Sequence, residues 1–258
     1  MFTKEELARG LDSRIIGTKF FVFDSVDSTN ACAKTLADAG IEEGAVVLTD
    51  FQTAGRGRNG RSWNSETGQN LLFSVVLRPE FPKEQATFLT FYSAISIVRA
   101  LEPELKVRIE CKWPNDLLLN GKKFCGILLE NSFQQDKLTY SVVGIGLNVN
   151  QKEFGEDLKE RATSLRFERK KNFDRKRLFQ KILSEMDRLY ESVQAGDFRA
   201  VMEDWNKHCT MFGKTVKVVK PHETLSGTAV GLSPEGGLVV ETSTGTSTVY
   251  AGDVSILT

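Results

Sequence analysis

The chain has 258 residues, and its 34 lysines and arginines balance 34 aspartates and glutamates for a formal net charge of +0. That balance excludes a general nucleic-acid binder, whose domains are markedly basic. The length allows one large or two smaller domains burying roughly three quarters of the unfolded surface. Four cysteines (Cys32, Cys111, Cys125, Cys209) form no CxxC pair, and two histidines (His208, His222) supply no metal spacing. Reduced thiols in a cytoplasmic protein are expected. Met1–Glu6 lacks the pattern of a secretory signal, and no apolar run approaches the ~20 residues that span a bilayer.

Residues 1–20 read as a short polar helix and a turn, too short for a winged helix-turn-helix. Phe20–Phe23 is a compact apolar strand. It runs into Asp27-Ser28-Thr29-Asn30, a cluster of N-cap residues ahead of a helix over Ala31–Ala39. Gly40 and Gly44 bracket the turn to a β-branched strand, Ala45–Thr49, and a loop of glycines and arginines follows. Asn70–Leu77 is nearly continuous in apolar residues, as expected of a central strand covered on both faces. Pro79 and Pro82 end it. Residues 83–101 have helical periodicity and enough apolar content to be buried.

Strands are predicted over Lys106–Lys112, over Leu117–Leu119 turning at Asn120-Gly121 into Phe124–Glu130, and over Leu138–Val143. Residues 151–172 are charged and weakly patterned, which predicts a surface connection. Asp174 is predicted to cap a long amphipathic helix to about Ala195, broken at Gly196 and resumed over Phe198–His208. From Gly213 onward, five short β-rich runs between turn residues predict a small all-β barrel, with a domain boundary near Phe212.

The loop Gln52–Trp63 (QTAGRGRNGRSW) alternates Gly55, Gly57 and Gly60 with Arg56, Arg58 and Arg61. Glycine tolerates φ > 0, and each arginine carries a fixed charge and a fork suited to carboxylate or phosphate. Ordering such a loop costs entropy, so it is expected to be mobile when empty and to close on an anion. It is not a phosphate loop, because the Lys-Ser/Thr pair and the following helix are missing. A solvated turn whose arginines pair with surface carboxylates is the plain alternative. Its position at a strand end, before Trp63, favours binding.

In Lys112–Asp116 (KWPND), Pro114 biases Trp113 toward an extended conformation and Asn-Asp favours a turn, so the lysine stands at a rigid strand end. An edge lysine beside a core tryptophan is the plain reading. Gly144–Asn148 is not GxGxxG and reads as a glycine bend at a strand end. Asp27–Asn30 reads as an N-cap, and a helix start with free N–H groups also suits a small polar ligand.

Taken in order, Asp27–Asn30, Gln52–Trp63, Lys112–Asp116 with Lys123–Glu130 (KFCGILLE), and Gly144–Asn150 (GIGLNVN) closely resemble the biotin protein ligases. The resemblance covers essentially the whole chain without departure at the motif positions. The DNA-binding domain of the bifunctional ligase–repressors has no counterpart in the sequence. The resemblance implies an α+β fold: a mixed-sheet catalytic domain with flanking helices (class II synthetase-like) over residues 1–211, then a small SH3-like β-barrel over residues 212–258.

The implied reaction has two steps. Biotin's carboxylate attacks the α-phosphate of ATP, giving biotinyl-5′-AMP and pyrophosphate, and a lysine of a biotin carboxyl carrier protein then takes the biotinyl group. By similarity, Ser28, Thr29 and Asn30 meet the ureido end of biotin with Gln52 nearby, and Gly55, Arg56, Gly57 and Arg58 close over biotin and the anhydride. Lys112 meets the carboxylate and α-phosphate, Gly126 and Ile127 line the slot for biotin's ring and chain, and Trp63, Asn115 and Asn148 hold the nucleotide. Lys112, Arg56 and Arg58 are the expected catalytic cations, with Mg²⁺ travelling on ATP and no metal held by the protein. Neither DNA nor membrane is an expected partner, and a homodimer is left open. The rivals are a lipoate-protein ligase of the same logic, a repressor sensing the adenylate, and a non-catalytic biotin-binding module.

Overall fold

The strand Leu71–Leu77 (β3) is buried along its whole length because it sits inside a seven-stranded sheet with layers on both faces. A computed structural model describes residues 2–220 and 223–257, so His222 lies outside the described residues. The first strands are β1 (Lys19–Val26) and β2 (Ala45–Gln52). After β3 come β4 (Glu110–Lys112), β5 (Asp116–Leu119), β6 (Lys122–Gln134) and β7 (Lys137–Leu147), in the spatial order β1-β2-β3-β7-β6-β5-β4. β1 and β2 are parallel and every other pair is antiparallel, so the sheet is mixed.

Alternation along the strands divides two cores. On one face, Leu71, Phe73, Val75 and Leu77 join the main core. The helices there are α3 (Phe88–Leu105), buried on almost every side, and α5 (Arg175–Gln194), which packs on it with Tyr190 against Tyr92 and the Tyr92 hydroxyl donating to Met186 O, while Phe179 meets Phe20 and Phe73 of the sheet. α6 (Arg199–His208) also packs on α3. On the other face, α2 (Thr29–Asp38) lays Ala33 and Ala37 on Val47, Val76 and Val142. The remaining helices, α1 (Lys4–Ala8) and α4 (Leu165–Arg169), have five residues each.

Three expectations change. α3 runs through Pro103 to the buried Leu105 and ends on Lys106 in a left-handed conformation (φ 52), so the strand expected from Lys106 starts only at Glu110. Residues 151–172 are not all loop: Ser164 caps α4 by accepting from the Phe167 N–H. Gly144 and Gly146 do not bend the chain at a strand end but lie within β7, opposite Leu128 and Gly126 of β6. The Asn120-Gly121 turn is as expected, with φ of 50 and 75 at its two residues.

The second sheet contains β8 (Thr215–Val219), β9 (Thr224–Leu232), β10 (Leu238–Thr242), β11 (Gly245–Val249) and β12 (Asp253–Ile256), ordered β11-β10-β9-β8-β12. All its pairs are antiparallel, giving the small SH3-like C-terminal sheet. Val216, Val218, Leu238 and Val240 join the main core. A backbone β-bridge between Cys111 and Cys209, whose thiols are both free, ties the end of α6 to β4. The Trp113 Nε1–H donates to the Gly236 carbonyl at 3.1 Å, docking the β9–β10 turn behind the KWPND segment. Among the described residues, no helix is long and apolar enough to cross a membrane.

Candidate active site

The start of α2 is bound to three strands. Ser28 caps it, its Oγ accepting from the Ala31 N–H at 3.5 Å. The Thr29 N–H donates to Gln52 Oε1 at 2.8 Å, joining α2 to the end of β2. Ser74 Oγ of β3 lies 2.8 Å from Thr29 Oγ1 and 2.6 Å from Asn30 Oδ1. Asn30 Nδ2 donates to Glu130 Oε2 of β6 at 2.8 Å. Ser28, Thr29 and Asn30 are thereby almost fully buried, and the three residues expected at the ureido end stand together beside Gln52, which Thr29 joins directly.

Beside this group a row crosses the sheet. Lys112 pairs with Asp116, Asp116 with Gly126, Gly126 with Gly146, and Gly146 with Leu72. Paired residues project from the same face, so Asp116 and Leu72 flank two positions without side chains, with Lys112 next beyond Asp116. The indole of Trp63 lies on that bare backbone. A Cβ on Gly146 would stand 2.5 Å from Trp63 Cε2, and one on Gly126 2.9 Å from Trp63 Cζ3.

Lys123 reaches the same place, with Nζ 5.4 Å from the Trp63 ring centroid and 2.6 Å from Asp116 Oδ1. The approach to Asp116 is short without hydrogen-bond alignment, so it is an ion pair by proximity. Lys123 was not among the expected site residues. The signal available was its place in the KFCGILLE motif, from which Gly126 and Ile127 alone were assigned. The Ile127 side chain packs into the main core on the opposite face, and the residue meets the site through its backbone: its N–H donates to Asn115 O, and its C=O accepts from Asn115 Nδ2.

The Gly/Arg loop is a hairpin closed on itself. The Trp63 N–H donates to Gly55 O, the Gly57 N–H donates to Arg61 O, and Arg56 bridges Ser62. Asn59 and Gly60 turn it with positive φ. Gly55 has no room for a side chain, since a Cβ would stand 2.5 Å from Trp63 O. At the tip, Arg58 Nη1 donates to Asn115 Oδ1 at 3.3 Å and Arg61 pairs with Asp253 of β12. Burial lowers the pKa of the Arg58 guanidinium, and the nearby carboxylates of Asp253 and Asp116 work against that shift. Arg56 is exposed.

Asn148, expected with the nucleotide, donates through Nδ2 to Thr163 O, while its Oδ1 is buried without a partner. Trp63 Nε1 and Ser65 Oγ are also buried and unpartnered. Buried polar atoms without partners are costly, and these three offer one acceptor, one donor and one hydroxyl to a polar ligand. No nucleophile stands in the row. Burial drives the Cys125 thiol far above its usual range, and His208 pairs with Glu102 at 3.3 Å, at the far end of α3. A separate surface cleft of about 1000 Å³, lined by Phe88, Phe198, Met202 and Leu232 among others, includes none of these residues.

Cations and uncommitted polar atoms around an apolar floor suit a ligand with an anionic centre and polar rings. The sequence profile described as the biotin/lipoate A/B protein ligase family matches residues 22–148, and that of the biotin protein ligase C-terminal domain matches residues 211–257. The chain is 33% identical to the bifunctional ligase/repressor BirA of Bacillus subtilis, over 98% of this chain and 79% of that protein. It is 30% identical to the biotin–[acetyl-CoA-carboxylase] ligase of Mycobacterium tuberculosis, over 95% of this chain and 94% of that one. The structure of biotin protein ligase from Aquifex aeolicus in complex with biotin and ATP is similar at a TM-score of 0.79 and 32% identity, covering 93% of this chain and 99% of that one.

Proposed function

The chain belongs to the biotin protein ligases, and from that membership we infer how its residues carry out the reaction. The protein is an ATP-dependent ligase that forms biotinyl-5′-AMP from biotin and ATP and transfers the biotinyl group to a lysine of a biotin carboxyl carrier protein. The observation that carries the residue-level reading is the convergence of motifs from five stretches of chain. Thr29 meets Gln52, Arg58 meets Asn115, Lys123 meets Asp116, and Trp63 lies on Gly146.

Adenylation brings a carboxylate against a phosphate, so like charges oppose it. Positive groups fixed in advance lower the barrier most where charge builds on the α-phosphate, and alignment of the two reactants supplies much of the rest. We assign this charge stabilisation to Lys112, Arg56 and Arg58, with Lys123 added because it stands over Trp63. Mg²⁺ enters as part of the ATP substrate and shares the charge on the phosphates. Ser28, Thr29, Asn30 and Gln52 form the ureido end, and Gly55–Arg58 cover biotin. Gly126, and the backbone of Ile127, line the slot. Trp63, Asn115 and Asn148 hold the adenylate, supported by the unpartnered Trp63 Nε1 and Asn148 Oδ1. A closed hairpin keeps water from the anhydride. In the second step the carrier's lysine amine attacks the acyl carbon, AMP leaves, and the amine gives up a proton.

We place the division of the chain at Phe212, with residues 1–211 catalytic and residues 212–258 a C-terminal domain, supported by the change of sheet before Thr215. A cytoplasmic location is supported by four unpaired cysteines. The zero net charge argues against a DNA partner. Homodimerisation is a proposal resting on the outer edge of β1 in the sheet order, and sedimentation tests it.

The deciding experiment is mass spectrometry of a carrier domain incubated with the protein, ATP, Mg²⁺ and biotin. One biotinyl group on one lysine is expected. Isotope exchange between pyrophosphate and ATP supported by lipoate and not biotin would sink the biotin reading. Lys112→Ala is expected to abolish exchange with the fold intact, and full activity would refute its assigned role.

A further inference from the structure

We propose that Glu130 is a positioning residue for biotin, setting the direction of a hydrogen-bond chain so that Thr29 Oγ1 meets the ligand as an acceptor. The proposal rests on the assignment of Thr29 to the ureido end of biotin. Glu130 itself touches no substrate group in that reading.

The chain begins with a group that can only accept. Ionised Glu130 takes a hydrogen bond from Asn30 Nδ2 at 2.8 Å through Oε2 and one from Lys34 Nζ at 3.1 Å through Oε1. The orientation of a buried amide is read from its partners. Facing a carboxylate, the side nearest Glu130 must be the NH₂. Its second hydrogen goes to Leu128 O at 3.3 Å, so both Asn30 donors are used inside the protein. Asn30 is 3% exposed, and its Oδ1 rests against Gly144, where a Cβ would stand 2.0 Å away. Its amide therefore has no donor left for a ureido carbonyl.

With Nδ2 fixed, Oδ1 faces Ser74. Ser74 has one hydroxyl proton and two oxygens near it, Asn30 Oδ1 at 2.6 Å and Thr29 Oγ1 at 2.8 Å. An amide carbonyl cannot donate, so the shorter contact takes the Ser74 proton. Ser74 then has no proton left for Thr29, so the Thr29 proton goes to Ser74 Oγ or to Gln52 Oε1. Gln52 Oε1, the other oxygen near Thr29 Oγ1 at 3.2 Å, is an acceptor too, held there by the Thr29 N–H. In either direction the Thr29 proton is spent inward, and Oγ1 turns only lone pairs to the pocket. A ureido ring has N–H donors that match.

The test exchanges the two ends of the first bond. In the double variant Asn30→Asp/Glu130→Gln, the amide of residue 130 donates to the carboxylate of residue 30, which still accepts from Ser74, and only the longer bond to Leu128 O, at 3.3 Å, is lost. Net charge and the direction of the rest of the chain are preserved. Biotin KM and ATP KM are measured by pyrophosphate exchange, with circular dichroism for folding. Asn30→Asp alone sets two carboxylates face to face and is expected to raise biotin KM about tenfold or more, with ATP KM within about twofold. The double variant is expected to return biotin KM to within about threefold of wild type. A double variant as impaired as the single one, in a protein whose wild type exchanges normally, overturns the proposal and makes Asn30 a direct contact. A single variant with wild-type biotin KM overturns it as well. A wild-type protein without biotin-dependent exchange overturns the ligase reading and this proposal with it.

Discussion

Trp63 lies against a strand that has no side chain at Gly146, where a Cβ would stand 2.5 Å from Cε2 of the indole. The same ring covers Gly126, the partner of Gly146 across β6 and β7. Gly146→Ala meets a rigid ring alone, whereas Gly126→Ala also meets the flexible end of Lys123, at 3.0 Å. Overpacking costs typically about 1–3 kcal/mol, so adenylation measured as kcat/KM for ATP is expected to fall about ten- to hundredfold in Gly146→Ala. The loss should be smaller in Gly126→Ala. Trp113 and Trp205 are buried elsewhere, so a red shift of tryptophan emission would report the displaced Trp63. Unchanged emission and kinetics would show that the ring does not depend on the bare floor.

That floor is also where sequence reasoning stopped. Periodicity makes β3 a buried central strand, and the split of its residues between two faces follows from alternation. Which residues stand opposite Gly146 depends on register with β6 and β3, and no local pattern encodes it. Gly144–Asn148 therefore reads as a bend, although Gly144 and Gly146 are strand residues accommodating Asn30 and Trp63. The resemblance puts Gly126 and Ile127 together in the slot, yet neighbours in a strand point to opposite faces, and the Ile127 side chain lies in the main core. The Gly/Arg loop read as mobile because glycine is permissive. What joins it to the rest of the protein are contacts distant in sequence, with Asn115 and Asp253. Lys123 is one more surface-type lysine until its place over Trp63 is known.

Lys123→Met keeps the apolar stem and removes the charge beside Asp116. Loss of one preorganised charge or donor at a developing oxyanion typically costs about 10²–10³ in rate, and a drop of that order is expected in pyrophosphate exchange. Transfer to carrier from added biotinyl-5′-AMP should fall less, because the phosphate bond is already made. A larger loss in transfer than in exchange would place Lys123 in the second step.

Arg61 and Asp253 join the hairpin to the C-terminal sheet, and both side chains are substantially exposed, at 67% and 39%. Exposed pairs contribute less than about 1 kcal/mol, so Asp253→Asn should shift Tm by less than about 4 °C. The same energy applied to the closed hairpin permits up to about fivefold faster escape of the adenylate. Rapid gel filtration of protein loaded with labelled adenylate, beside calorimetry, separates the two. Equal retention in variant and wild type would leave the pair without a role in closure.

Trp113→Phe tests how the C-terminal sheet is tied to the site. The Trp113 Nε1–H donates to Gly236 O, and Gly236 sits at φ +81 with no room for a Cβ, which would stand 2.8 Å from Phe91 Cε2. The turn is closed by the Gly236 N–H donating to Ser233 O and the Ser233 N–H to Gly237 O, so it docks as a unit. Phenylalanine leaves the Gly236 carbonyl unpaired and a void beside it, costing about 2–4 kcal/mol. Part of that cost falls on the contact between the two sheets, so the C-terminal sheet is expected to open before the large one. Limited proteolysis should then cut near Phe212 at temperatures where wild type is intact. ATP KM should rise in parallel, because a freed sheet no longer presents Asp253 to Arg61. A lower Tm in a single transition, without early cleavage or change in ATP KM, would make Trp113 a core residue that merely touches the turn. Early cleavage with raised ATP KM makes the turn the link through which the C-terminal sheet supports the closed hairpin.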